Sequence, residues 1–187
     1  MLTFLAFLAC GEPEDEDTAP DGGAATEDGG TDTGLEDTAA PCSYLSPGSR
    51  LVLQTACADG LCGGATWAQA YKLLGEPSSC MPSSSSRVQC DWGDMSVSFP
   101  DCDHDGLPDD DASCETLEQS IWLHGRWDGS SAEGLGLGIL GECWVEALGP
   151  QAGNHTWTFG KDTSVRVTIE PLVGPVEAIM MAWSRKK

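Results

Sequence analysis

The sequence predicts an α+β fold in which two tandem helix-then-antiparallel-strand repeats share one sheet, with the helices on one face. Three observations carry that prediction. A glycine-led helical pattern closed by Leu-Gly occurs twice, as "GATWAQAYKLLGEP" (Gly64 to Pro77) and "GILGECWVEALGP" (Gly138 to Pro150), with eleven residues from first to closing glycine in each. Each copy continues through an aromatic-glycine turn into an alternating strand, "DWGDMSVSF" in the first and "WTFGKDTSVRVTI" in the second. Each then ends in a further apolar strand, "LEQSIWLHG" and "VEAIMMAWS". The repeats cover about residues 50–125 and 132–184 of a domain spanning 42–187.

Each element has a local physical reason. A leading strand is expected at Arg50 to Thr55, "RLVLQT". Thr66 caps the first helix, Gln69 completes a capping box, and Gly75 supplies the stop. Ala70, Leu73 and Leu74 then share an apolar face. In the second helix Val145 and Leu148 do the same, Gly149 ends the helix and Pro150 prevents its continuation. In the strands, Met95, Val97 and Phe99 oppose Ser96 and Ser98, while Val165, Val167 and Ile169 oppose Ser164, Arg166 and Thr168. One face of the sheet is thus expected to be buried and the other wet.

Glycine-led helices closing in "LGEP" or "LGP" before a strand meander resemble the small outer-membrane lipoproteins of the SmpA/BamE type. The tandem duplication resembles the β-lactamase inhibitor protein, whose two similar halves form one concave sheet. Both resemblances imply protein binding through a sheet surface rather than catalysis. Trp122, expected on the wet face with Ser96, Ser98, Arg166 and Met180, is the candidate partner anchor.

The N-terminus points the same way. "MLTFLAFLACG" resembles a bacterial lipoprotein signal over residues 1–10, which implies that Cys10 becomes the lipidated first residue. The nine residues before Cys10 are too few for a hydrocarbon core that needs about twenty. Gly11 stands where enteric lipoproteins kept at the inner membrane carry aspartate, so the resemblance implies a lipid anchor in the outer membrane, in either leaflet. Residues 11–41 read as a disordered tether: eleven acids, no base, and Leu35 as the only large apolar side chain.

Eight cysteines follow Cys10, an even number that reads as a disulfide framework in an exported domain. Loop lengths favour Cys57 with Cys62, Cys80 with Cys90 and Cys102 with Cys114, leaving Cys42 to reach Cys143. Sequence alone leaves every other connectivity open.

One segment carries metal chemistry. "DCDHDGLPDDDASC" (Asp101 to Cys114) sets aspartates at alternate positions around a glycine. Asp101, Asp103, Asp105 and Asp109 with the Leu107 carbonyl form a set of oxygens suited to calcium; Ala112 occupies the twelfth position, where the bidentate acid would sit, and Asp110 or Asp111 substitutes for it after a one-residue shift. The pattern resembles the calcium loops of EF-hands, dockerins and thrombospondin type 3 repeats. The bland reading is a solvated acidic turn.

Other chemistry is poorly supported. The formal charge of −21 argues against nucleic acid as a partner. Gly136-x-Gly138-x-x-Gly141 lacks the preceding strand of a dinucleotide site. His104, His124 and His155 are too dispersed for zinc. The expectation is a non-enzymatic, lipid-anchored envelope module that binds an envelope protein and holds calcium. The alternative is an exported hydrolase with its site on the open sheet face.

Overall fold

In a computed structural model the protein is described over residues 41–109, 116–151, 155–160 and 164–186. The chain divides into two units, Met1–Ala39 and Ala40–Lys187, and the second carries the fold. The expected signal with Cys10, the tether except for Pro41, and Asp111 and Cys114 lie outside the described residues.

The domain is α+β and its sheet pairings are antiparallel. After a two-stranded ribbon of β1 (Leu51–Val52) and β2 (Cys57–Ala58) comes helix α1 (Trp67–Leu74), then β3 (Ser79–Ser84), β4 (Arg87–Asp91), β5 (Met95–Pro100) and β6 (Thr116–Leu123). Helix α2 (Gly141–Leu148) precedes β7 (Thr156–Phe159), β8 (Ser164–Glu170) and β9 (Ala178–Lys186). The seven later strands form one sheet in the order β3-β4-β5-β6-β9-β8-β7. Its middle is the β6–β9 ladder, in register from Thr116↔Lys186 to Leu123↔Ile179.

Strand alternation sorts the core. Val97, Ile121, Met181, Val167 and Trp157 follow one another as directly paired residues across five strands, and all are at least 96% buried. Each such aliphatic side chain contributes about 1.5–3 kcal/mol on leaving water. Trp67 of α1 meets Phe99 at 5.4 Å between ring centroids, and Trp144 of α2 meets Trp157 at 6.2 Å. A polar residue also enters this face: buried Gln119 accepts the Gly64 N–H at 2.8 Å and donates to the Ala65 carbonyl at 3.0 Å. It thereby fastens the loop that leads into α1. Trp183 presses on the same loop, and a Cβ at Gly63 would lie 2.6 Å from its Cβ.

The capping box is present, with Thr66 Oγ1 accepting the Gln69 N–H and Gln69 Oε1 accepting the Thr66 N–H. Gly75 and Gly149 close their helices at φ 81° and 78°, a region that favours glycine.

Four expectations need correction. The leading strand stops after Val52, because Leu53–Thr55 turn as a 3₁₀ segment and Ala56 takes φ 51°. That turn folds the chain back into its own small ribbon instead of the main sheet. In α1 the inward face is Trp67, Ala70 and Leu74, whereas Leu73 is 50% exposed, since its position is about 100° from Leu74 around the helix. In α2 the deepest side chains are Cys143 and Trp144; Val145 and Leu148 are half-buried beside them. Finally, the face opposite the core is not uniformly wet: Ser96 and Ser98 are 3% and 5% exposed. They are small side chains flanked across the strands by Asp91 and Trp122, and by Gln89 and Ser120.

Three disulfides brace the described domain: Cys42–Cys143, Cys57–Cys62 and Cys80–Cys90. Cys102 is disulfide-bonded as well. The first joins the start of the domain to α2 across 101 residues, and the other two close local loops.

Candidate metal centre

The acidic segment leaves the end of β5. Asp101 follows Pro100 directly, and its N–H donates to the Ser86 carbonyl at 2.9 Å, which fixes the first ligand position against the β3–β4 tip. The chain then curls through His104 at φ 63° and Gly106 at φ 83°. It returns where the Asp109 N–H donates to the Pro100 carbonyl at 2.9 Å.

Within this curl the carboxylates bond to backbone amides. Asp101 Oδ2 accepts from Gly106 N–H (3.2 Å), Asp103 Oδ1 from Asp105 N–H (3.1 Å), Asp105 Oδ1 from Leu107 N–H (2.8 Å) and Asp109 Oδ2 from Cys102 N–H (2.7 Å). These bonds turn Asp101, Asp103 and Asp109 toward a common point, where one oxygen from each lies within 4.8 Å of the others. Asp105 is not in that group, and Leu107 is 61% exposed.

Asp101 is the side chain that distinguishes this loop from a solvated turn. It is 2% exposed, and its Oδ1 has no hydrogen-bond partner. Burying a carboxylate oxygen without a partner is costly. Three carboxylates this close also repel one another, by about 3.5 kcal/mol per pair at 4.8 Å and an effective dielectric constant of 20. A hard divalent cation at the common point answers both costs, and calcium's 6–8 oxygen ligands at about 2.3–2.6 Å fit a donor set made only of oxygens.

The open sheet face holds a second polar group that the sequence did not disclose. Ser96 Oγ donates to Asp91 Oδ1 and lies 3.0 Å from His124 Nε2, and Ser79 Oγ donates to Asp91 Oδ2 at 3.2 Å. A serine, a histidine and an aspartate are therefore assembled, but with serine in the middle. Its proton goes to Asp91, so the His124 nitrogen is the donor to Ser96 and is not free to act as its base. Beside it, Trp122 and Met180 are directly paired and half-buried, and Arg166 is exposed.

A third cluster binds the β1–β2 ribbon to the connection between the two helical units. Arg50 forms ion pairs with Asp59 and Asp128 and lies over the Trp127 ring at 5.6 Å, while Trp127 Nε1 donates to Asp59 Oδ2 at 2.8 Å. Among the described residues, no helix is long and apolar enough to cross a membrane.

No protein-family model matches the chain, and no curated protein and no solved structure does either. The chemistry above therefore rests on this chain's own residues.

Proposed function

We propose that the chain is a lipid-anchored envelope protein whose disulfide-braced domain is a non-enzymatic binding module organised by a calcium ion at the Asp101 loop. The observation that carries the calcium reading is the buried, unpartnered Oδ1 of Asp101 beside Asp103 and Asp109. Asp109 and Asp101 join the two ends of the loop, so the ion's role is to hold an insert between β5 and β6 in one shape.

The test is a thermal melt of the full chain with calcium and with chelator. At a tenfold excess of calcium over its dissociation constant the native state gains about 1.4 kcal/mol. A chain of this size should then melt about 3–5 °C higher. Asp101→Asn should remove that rise. A melt unchanged by millimolar calcium would sink the calcium reading.

The module reading also includes a tandem duplication of the SmpA/BamE or β-lactamase-inhibitor kind, and the sheet supports it. Exchanging β6 with β9 about their Trp122↔Met180 pair carries Leu123 onto Met181. Met95, the partner of Leu123, falls on Val167, the partner of Met181. Trp92, bonded to Met95, falls on Trp157, paired with Val167. The two tryptophans found this way make the same bond: Trp92 Nε1 donates to the Gly75 carbonyl and Trp157 Nε1 to the Gly149 carbonyl, each at 3.0 Å. The carbonyl in each case belongs to the glycine that closes that half's helix.

The anchor reading rests on Cys10, and Cys10→Ser should abolish incorporation of labelled palmitate. Incorporation that persists in the variant would remove the anchor. The partner surface is the region around Trp122, Met180 and Arg166. The serine-centred order of the Asp91 cluster gives the hydrolase alternative no support.

A further inference from the structure

We propose that the cation of the Asp101 loop is a ligand-bridging ion, and that the cleft beside it takes a neutral saccharide through a pair of adjacent hydroxyls. This rests on the calcium reading above.

The cleft is the space between the acidic loop and the β3–β4 tip. Asp101, His104 and Gly106 line it from the loop, and Pro82, Ser84 and Ser85 from the hairpin, around a volume of about 350 Å³. Loop and hairpin abut closely enough that a Cβ at Gly106 would sit 3.6 Å from Pro82 Cγ. Ligand sites begin at about 300 Å³, so this cleft suits something the size of one sugar ring. Asp101 belongs both to the cleft wall and to the carboxylate cluster. The carboxylate cluster and the cleft therefore meet at this one residue.

The ligand count leaves room. Asp101, Asp103 and Asp109 each spend one oxygen on a loop amide, and among the described residues the second oxygens of this cluster number three, against the 6–8 that calcium takes. Water or ligand oxygens reaching in from the cleft complete the shell.

Charge selects the ligand class. The six aspartates between positions 101 and 111 outweigh a divalent ion, and among the described residues no Lys or Arg lines the cleft. A phosphate or carboxylate would meet a net negative wall, whereas hydroxyls give neutral oxygens to the ion. Ser84 and Ser85 offer groups that both donate and accept, which match further sugar hydroxyls, and the Pro82 ring offers an apolar wall for the C–H face.

The experiment uses the full chain. Calorimetry first measures calcium uptake, and saturation-transfer NMR then probes methyl α-mannoside and methyl β-galactoside, which present adjacent hydroxyls in different geometries. Contact with at least one glycoside in calcium, lost on chelation and not displaced by inorganic phosphate, is expected. A Ser84→Ala/Ser85→Ala variant should bind that glycoside roughly tenfold more weakly or worse, from the loss of two hydrogen bonds, while its calcium titration is unchanged. Calcium uptake with no glycoside contact, or contact that survives chelator, overturns the saccharide site and leaves the calcium reading standing. Displacement by phosphate overturns the choice of a neutral ligand, and a chain that takes up no calcium ends both readings.

Discussion

Asp59 receives the Trp127 indole N–H and a two-pronged contact from Arg50, whose Nη2 lies 3.1 Å from Oδ2. Burial alone would raise its pKa, but the hydrogen bonds from Arg50 and Trp127 and the charge of Arg50 together outweigh burial and lower it. The ionised form is thus worth more to the folded chain than to the unfolded one. That contribution is fully present above the unfolded value of about 3.9 and is lost as pH falls through the lower folded value. Asp59→Asn should lower the melting temperature at neutral pH and flatten its fall in acid; an acid limb identical to that of the parent would contradict this. Asp101 is deeper still, 2% exposed, and its buried Oδ1 has no hydrogen-bond partner among the described residues. The alternation of aspartates around Gly106 was legible in the sequence, but which of them is buried was not. Asp59 gave no sequence signal, because its partners stand 9 and 68 residues away.

At the level of elements, legibility followed the range of the forces involved. The Thr66–Gln69 box and the closing glycines act within one turn: α1 begins at its box, and both helices end at their glycines. The β3–β4 hairpin left no such mark: all six residues of β3 are exposed, so "SCMPSS" has no apolar alternation to read. It is held instead by its ladder to β4 and by Cys80–Cys90. The mirrored tryptophans allow a direct test of duplication. Trp92→Phe and Trp157→Phe each delete an indole donor to a helix-closing carbonyl, and each should cost about 1 kcal/mol in chemical denaturation. If either substitution proves neutral while the other is costly, the two bonds are not equivalent and the duplication argument loses its main support.

At the scale of the whole molecule, Cys42–Cys143 is the longest disulfide constraint among the described residues, with a sequence separation of 101. A closure of that length removes unfolded-state entropy worth about 4.7 kcal/mol in the chain-entropy model. Cys42→Ala with Cys143→Ala should therefore destabilise the domain far more than removing Cys57–Cys62, whose loop spans only 5 residues. Equal losses in guanidinium unfolding would show that local strain, not chain entropy, governs these bonds. The sequence by itself determined the α+β class, where the first helix begins and where both end, the face of each alternating strand and the acidic loop, because capping, periodicity and turn chemistry act over a few residues. Only the tertiary structure decided the strand order that brings β6 against β9, the serine-centred Asp91–Ser96–His124 group, and the burial of Asp101 against the β3–β4 tip. Those depend on pairings between distant segments, and burial is a property of the assembled neighbours rather than of the residue.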